Sequence, residues 1–468
     1  MQIIQNFIDS INTVLWSYVL IALLIGCALV FTIKTRFVQF RMIGEMVRLL
    51  GDAVPRGKKG QTKHISSFQA FVVSLASRIG TGNLAGVATA ISIGGPGAVF
   101  WMWVMALLGS ASAFVESTLA QLYKRKSKDS FIGGPAYYML HGLGLKWMGV
   151  LFAVLISATF GLAYNSVQSN TICAAWQKAF DINTTWMGVA LTVLTLLIIF
   201  GGIQRIAKVS EALVPVMAIG YLLIAVVIVA LNITQIPHVL LSIVKGAFGW
   251  HQALGGGMGA AVMQGIKRGL FSNEAGEGSA PNVAATAFVT HPVKQGLIQA
   301  LGVFTDTLVV CSCTAFIILV SGVNTGVSLN GIQLTQEALT SEIGSVGNIF
   351  IAVTIFLFAF SSVIGNYYYG EANIRFITNN RHVLNAYRLF VGWMVMWGAL
   401  MTLDFAWSMA DLMMAMLTTC NLVAIVLLSK QAVTLLEDYR SQKRKGIRNP
   451  VFSKDTMPDI ASKLDAWD

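Results

Sequence analysis

Residues 77–86 read SRIGTGNLAG, and what this stretch is decides what the chain is. Gly80, Gly82 and Ala85 fit the spacing G-x-G-x-x-G/A of a dinucleotide-binding turn, which requires a strand before it and an acidic residue about twenty positions later. The preceding run SFQAFVVSLAS could pass as a strand, but position 102 is a methionine and the first downstream acid is Glu116. The flanks are apolar on both sides for about a dozen residues, as in a membrane span. The alternative is a deliberate break in a membrane helix, with Gly80 and Gly82 unwinding it locally. Gly82 and Gly86 also stand at G-x-x-x-G spacing with Ala90 following, a pattern that lets a second helix pack closely. Packing alone does not account for Arg78, Gly80, Thr81 or Asn83.

Composition favours the membrane. Of 468 residues 55% are hydrophobic and 11% charged, against about 25% charged in ordinary soluble domains. Met1 to Thr13 lacks a basic region of the secretory-signal type, and the apolar run from Trp16 to Ile33 is long enough to span. Apolar stretches place spans near 14–33, 66–92, 98–123, 147–170, 185–201, 209–231, 250–286, 297–321, 348–371, 386–403 and 408–429. The intervening loops alternate in charge. One set (34–64, 124–146, 202–208, 287–296, 372–385 and the tail from Lys430) carries 26 Lys and Arg, and the opposite set only Lys178 and Lys245. By the positive-inside rule the N-terminus lies outside and the C-terminus in the cytoplasm. The net charge of +11 is thereby a matter of topology and contact with anionic lipid, not of nucleic acid. Cys27, Cys173, Cys311, Cys313 and Cys420 fall in apolar runs without metal-site spacing and read as small packing residues.

The seventh span is interrupted by GLFSNEAGEGSAPN, residues 269–282. Unpaired backbone at membrane depth is tolerated only where it is buried in protein or lines a wet cavity. Spans two to six make five helices and spans seven to eleven five more, each group opening with its broken member. Five being odd, the second group enters from the opposite side. This is the pattern of an inverted repeat with its binding site at the breaks. The chain therefore reads as an all-α polytopic membrane protein with eleven transmembrane helices. Its parts are an N-terminal helix and basic loop (1–64), a first five-helix repeat (65–232), a second (233–430) and a basic tail (431–468).

The half-helix starting near Asn83 offers free amides and the positive end of a dipole, suited to a carboxylate. Unwound carbonyls suit an ammonium group or a bare sodium ion. Ser361 and Ser362 are adjacent hydroxyls in an otherwise apolar span; they either face a cation or bond back to their own helix. Arg78, Glu116, Lys267, Arg268, Glu274, Glu277 and Asp306 are intramembrane charges, each costly unless paired or hydrated. Two uses are open: Asp306 and Glu274 couple or gate an ion, or these acids pair with Arg78 and Arg268 to hold the broken helices together. Gln168, late in span four, either hydrogen-bonds a substrate backbone or sits at an interface with water. His141, His251 and His291 lie in loops or at span ends without metal spacing, and Trp101 and Trp103 read as packing or interfacial residues.

Three stretches, GTGNLAGVATAISIGGPGAVFWMW (80–103), GLFSNEAGEGSAPN (269–282) and FAFSSVIGNYYYGE (358–371), closely resemble the alanine or glycine:cation symporter family. The resemblance runs through nearly the whole chain. It implies a leucine-transporter-like fold of two inverted five-helix repeats with one extra N-terminal helix. It also implies sodium-coupled (in some members proton-coupled) uptake of small neutral amino acids at the bacterial cytoplasmic membrane. Carried over by residue, Thr81, Gly82 and Asn83 meet the substrate carboxylate, Phe271 covers or lines the pocket, and Gln168 reaches it from span four. The carbonyls of Ala76 and Ile79 face the hydroxyls of Ser361 and Ser362 across a sodium ion. No cofactor is implied beyond the co-transported ion. Where family members commonly read F-S-T-x-x-G-W, this chain has Ser362 and Asn366. An asparagine in place of a pocket tryptophan enlarges the site and adds an amide, which brings glutamine into competition with alanine and glycine. A passive channel is the rival reading, since channels also use broken helices and free carbonyls. An intramembrane enzyme would need a nucleophile–base or metal constellation such as H-E-x-x-H, and none occurs.

Overall fold

The computed structural model describes residues 2–52, 65–127, 130–201, 203–249, 257–323 and 331–467. Basic residues between 53 and 64, Lys128 and His251 lie outside the described residues. The chain is helical almost throughout. A long first helix α1 (Ile3–Lys34) turns through Arg36 and Phe37 into α2 (Val38–Arg41) and α3 (Ile43–Leu50). The second expected span is α4 (Ser67–Arg78) and α5 (Gly82–Gly94). Then come α6 (Gly97–Leu122), a two-stranded ribbon of β1 (Arg125–Lys126) and β2 (Phe131–Ile132), and α7 (Pro135–His141). α8 (Lys146–Phe180) leads to α9 (Thr184–Ile199), α10 (Ile203–Leu231) and α11 (Ile236–Ala247). The seventh expected span is α12 (Gly257–Asn273) and the short α13 (Ala280–Ala284). α14 (Val293–Val320), α15 (Gly331–Ile343), α16 (Ser345–Ile377), α17 (Arg381–Leu400) and α18 (Leu403–Arg444) follow, and two short 3-10 turns (Lys454–Thr456 and Pro458–Lys463) end the order.

Among the described residues seven helices are long and apolar enough to cross a membrane: α1, α6, α8, α14, α16, α17 and α18. They become eight if Pro215–Leu231 and Ile236–Ala247, bent by 104° to each other, count as one span. The two broken segments fall short of that length because each is two half-helices. The fold is thus that of a multi-pass membrane protein. Helices 236–247 and 331–343 fall between expected spans, and the expected loop at 202–208 is helical from Ile203. The 42 residues of α18 run about 63 Å, twice the ~30 Å hydrocarbon core, so the helix passes well beyond Lys430, where a tail was expected.

The breaks have different chemistry. α4 opens on a reciprocal cap, in which Ser66 Oγ accepts from Gln69 N and Gln69 Oε1 from Ser66 N, both at 3.0 Å. It ends at Ile79, whose backbone is extended (φ −73°, ψ 95°). Gly80 N then donates to Asn83 Oδ1 at 2.9 Å instead of to the helix, which frees the carbonyl of Ala76. In the second break Glu274 takes a left-handed conformation (φ 54°), followed by Gly276 at 87° and Gly278 at 88°. Glu116 on α6 accepts from Gly276 N (3.3 Å), Gly278 N (3.1 Å) and Asn421 Nδ2 (2.8 Å) and so satisfies the amides that the unwinding releases.

Candidate functional site

The breaks meet. A Cβ on Gly82 would stand 3.0 Å from Ser272 Cα and 3.1 Å from Phe271 Cδ1, so the absence of a side chain is what lets α5 approach α12. Gly86 has nothing nearer than 3.8 Å, and close small-residue packing is therefore real at the first glycine of the pair and loose at the second. A Cβ on Gly80 would fall 2.3 Å from Ser362 Oγ and 3.0 Å from Gln168 Oε1. Span two, span four and span nine converge on this one residue.

Around the first break the structure brings together the oxygens of Ala76, Ile79, Ser361 and Ser362. Ser361 Oγ lies 3.2 Å from Ala76 O, and Ser362 Oγ lies 3.2 Å from Ala76 O and 3.3 Å from Ile79 O. Both hydroxyls also reach back to Phe358 O of their own helix, at 2.8 and 3.1 Å. The cross-helix separations exceed the about 2.7–2.8 Å typical of O–H···O bonds, leaving a compact group of two carbonyl and two hydroxyl oxygens. Among the described residues no group of His, Cys, Asp and Glu is arranged to hold a metal ion.

On the other side of Gly80, Thr81 directs both its backbone N (3.0 Å) and its Oγ1 (2.6 Å) to Gln168 Oε1. A side-chain oxygen thus sits at the amide end of the half-helix, where a carboxylate oxygen would gain most from the dipole. Phe271 closes the space, its ring 4.6 Å from that of Tyr164 and 4.7 Å from that of Trp407. Thr81, Ser361 and Ser362 are fully buried, and Gln168 and Phe271 are 3% and 4% exposed, so the region is shut off from both faces.

The remaining expected residues lie beside this core in supporting positions. Asn83 turns its amide away, Nδ2 donating to Asp306 Oδ1 at 2.7 Å with Cys311 Sγ 3.3 Å off. Asp306 also accepts from Ser272 Oγ (2.6 Å) and Thr307 Oγ1 (3.0 Å), which ties α14 to both breaks. Asn366, one turn beyond Ser362, donates to Asn165 Oδ1 at 3.1 Å, and its own Oδ1 lies 3.0 Å from Ser77 Oγ. Ser77 Oγ is likewise 3.3 Å from Glu274 Oε1, and Ser279 Oγ donates to Glu274 Oε2.

The expected pairing of acids with arginines is corrected. Arg268 pairs with Asp411, at 2.6 and 2.7 Å, and not with Glu274 or Asp306. Lys267 adds a contact of 3.5 Å to Asp411, and the Arg268 guanidinium lies 4.1 Å over the Trp407 ring. Arg78 forms no ion pair among the described residues. Its Nη1 donates to Gln299 O at 3.3 Å, while Nε and Nη2 are buried without a partner. The acids are instead satisfied by hydroxyls, amides and backbone N–H groups. Asp411, Asn421 and Tyr164 (which donates to Glu277 Oε1 at 2.5 Å) were not singled out in the sequence. A lone aspartate in the eleventh apolar span was the available signal for the first of them.

A profile of the sodium:alanine symporter family matches residues 1–454. The chain belongs to that family. It is 52% identical over 466 residues to a probable sodium/glutamine symporter, GlnT, of Bacillus subtilis, covering 100% of this chain and 96% of that one. It is 51% identical over 468 residues to the amino-acid carrier protein AlsT of the same organism (99% and 98% covered). It is 34% identical over 459 residues to the sodium/alanine symporter AgcS of Methanococcus maripaludis (95% and 99%). In fold it is similar to the crystal structure of MhsT in complex with L-phenylalanine, with a TM-score of 0.56, 11% identity, and 81% and 99% of the two chains covered. It is also similar in fold to that of a manganese transporter of Eremococcus coleocola, with a TM-score of 0.53, 14% identity, and 88% and 87% covered. The family is one of symporters, and neither a channel nor an enzyme reading has support from it.

Proposed function

We propose that this sodium:alanine symporter family member couples sodium entry to import of a small neutral amino acid, alanine or glycine, across the bacterial cytoplasmic membrane. Four neutral oxygens from Ala76, Ile79, Ser361 and Ser362, gathered next to the amide end of a half-helix, carry the reading. Sodium sits among those oxygens. Ser362 touches both the ion group and Gly80, so ion and substrate sites share a wall. The substrate carboxylate takes the place of Gln168 Oε1 at Thr81 N and Oγ1, Gly82 and Asn83 shape that helix start, and Phe271 covers the pocket. The full topology is one N-terminal helix and two inverted five-helix repeats over 65–232 and 233–430, eleven spans in all, with the N-terminus outside and the tail 431–468 in the cytoplasm. Occlusion of both breaks, followed by rocking of one repeat against the other, delivers substrate and ion inward. Glu274 and Asp306 hold the breaks in register through Ser77, Ser279, Asn83 and Ser272, and Arg268 fixes the second break to Asp411.

A second reading within the same family is glutamine, which Asn366 favours. Its amide, joined to Asn165 and Ser77, offers a polar partner to a longer side chain, and one relative carries glutamine in its name. Competition decides between the two. Sodium-driven uptake of labelled alanine into proteoliposomes is expected to be displaced by excess alanine, glycine and serine. Sodium-driven uptake of labelled glutamine with none of labelled alanine assigns the second reading, and sodium-driven uptake of neither removes both.

A further inference from the structure

Away from the transport site, the end of α1, its turn into α2 and α3, and the last turns of α18 enclose a cleft of about 340 Å³. Its lining includes Arg36, Arg41, Arg440, Lys443 and Arg444, and a single carboxylate, Glu45. That carboxylate is already in use. Arg48 forks onto it at 2.7 and 2.9 Å, Tyr439 OH donates at 2.6 Å, and Lys443 Nζ lies 3.2 Å away. Burial by itself would raise the Glu45 carboxyl, but the hydrogen bonds from Arg48, Tyr439 and Lys443 outweigh it and hold it at about 2. Arg41 donates to Arg36 O at 3.3 Å. Among the described residues Arg36, Arg440 and Arg444 make no side-chain hydrogen bond or ion pair, and Arg41, Arg444 and Arg36 act on Arg440 as like charges, opposed only by Glu437.

A fold does not gather guanidinium groups in excess of carboxylates around a cleft without a cost in self-repulsion. The planar forks are suited to the oxygens of a phosphate. Next to the cleft is an outward apolar stripe. Phe37, Phe40, Ile43 and Val47 are 50%, 42%, 43% and 55% exposed, while Met46 and Leu49 of α3 are buried against the protein. Phe37 is presented there by a left-handed turn (φ 59°, ψ 44°). The stripe begins where α1 leaves the apolar layer, at the level where Lys34 Nζ bonds Ser429 Oγ at 3.0 Å. An amphipathic helix in that position lies in the membrane interface with its apolar face among acyl chains.

We propose that this cleft binds the phosphodiester headgroup of an anionic phospholipid, from the leaflet on the C-terminal side, with the acyl chains running along Phe37, Phe40, Ile43 and Val47. Phosphate chemistry alone would admit a free anion; the apolar stripe beside the cations selects the lipid. The inference does not depend on which amino acid is carried.

The test is native mass spectrometry of the detergent-purified full chain titrated with phosphatidylglycerol, phosphatidylcholine of the same chains, and inorganic phosphate. Wild type is expected to retain phosphatidylglycerol in preference to phosphatidylcholine. Each cation at an anionic lipid surface is worth about a fivefold change in affinity, so the variant R36Q/R440Q/R444Q should bind phosphatidylglycerol about a hundredfold more weakly. K454Q/K463Q, which alters basic residues outside the cleft, should bind as wild type does. Ile43→Ser with Val47→Ser should weaken the lipid without altering any phosphate adduct. Equal retention by the triple variant, equal binding of the two lipids, or inorganic phosphate binding as tightly as phosphatidylglycerol overturns the proposal. If the triple variant does not fold, Arg440→Gln alone decides: a fivefold loss supports the site and an unchanged affinity refutes it.

Discussion

Replacing Gly80 by alanine tests the idea that ion and substrate share a wall. Gly80 does not occupy the left-handed region, so alanine meets no backbone penalty there. The obstacle is local: the new Cβ would fall 2.3 Å from Ser362 Oγ. Ser362 can yield only by turning its hydroxyl away from Ala76 O and Ile79 O, which takes one of the four oxygens out of the group. Overpacking of this kind costs about 1–3 kcal/mol. If that cost falls on the ion-bound state, half-saturating sodium rises roughly 5- to 150-fold. The assay is initial-rate uptake of labelled alanine, and of labelled glutamine, into proteoliposomes over a range of sodium concentrations. In a Ser362→Ala background, where the hydroxyl is already lost, Gly80→Ala should add less than it does alone. Unchanged half-saturating sodium in Gly80→Ala, or strictly additive effects in the double variant, would refute the shared wall.

Other substitutions probe other parts of the structure. Asn366→Trp sets a large ring one turn from Ser362 and should shift preference from glutamine toward alanine and glycine by about tenfold or more in competition uptake; an unchanged preference places Asn366 outside the pocket. Asp411→Ala strands the buried Arg268 guanidinium and should cost about 3–5 kcal/mol of stability, seen as a lower thermal unfolding midpoint in detergent. Glu45 is an acid whose folded value lies below its ordinary one, at about 2 against 4.5. The stability it contributes is therefore full above about pH 4.5 and is lost as the pH falls toward 2. Glu45→Gln should remove that part of the acid dependence in a pH series of unfolding midpoints.

Much of this site is legible in the sequence because membrane depth makes polar residues conspicuous. GTGN and NEAGEG interrupt apolar runs, and the chain unwinds at both, at Ile79–Gly80 and from Glu274 to Gly278. Ser361 and Ser362 stand out in an apolar helix for the same reason, and they meet the carbonyls expected of them. Pairing is what the sequence conceals. Arg268 and Asp411 are 143 residues apart, and an arginine flanked by Glu274 and Glu277 gives no hint that it turns to the opposite helix. Glu116 reads as a stray charge until Gly276 and Gly278 present free amides to it. The length of α18 is hidden by its charges: residues 430–444 look like a solvated tail, yet Leu, Glu, Arg, Gln and Lys are all strong helix formers, and the helix continues through them to Arg444.

The most direct test of the central claim is accumulation of a labelled neutral amino acid against its gradient in proteoliposomes containing only this protein. Coupled symport predicts accumulation above the external concentration when sodium is higher outside, and collapse to equilibrium when a sodium ionophore dissipates the gradient. Equilibration without accumulation under an imposed gradient, or accumulation that persists after sodium has equilibrated, would contradict it.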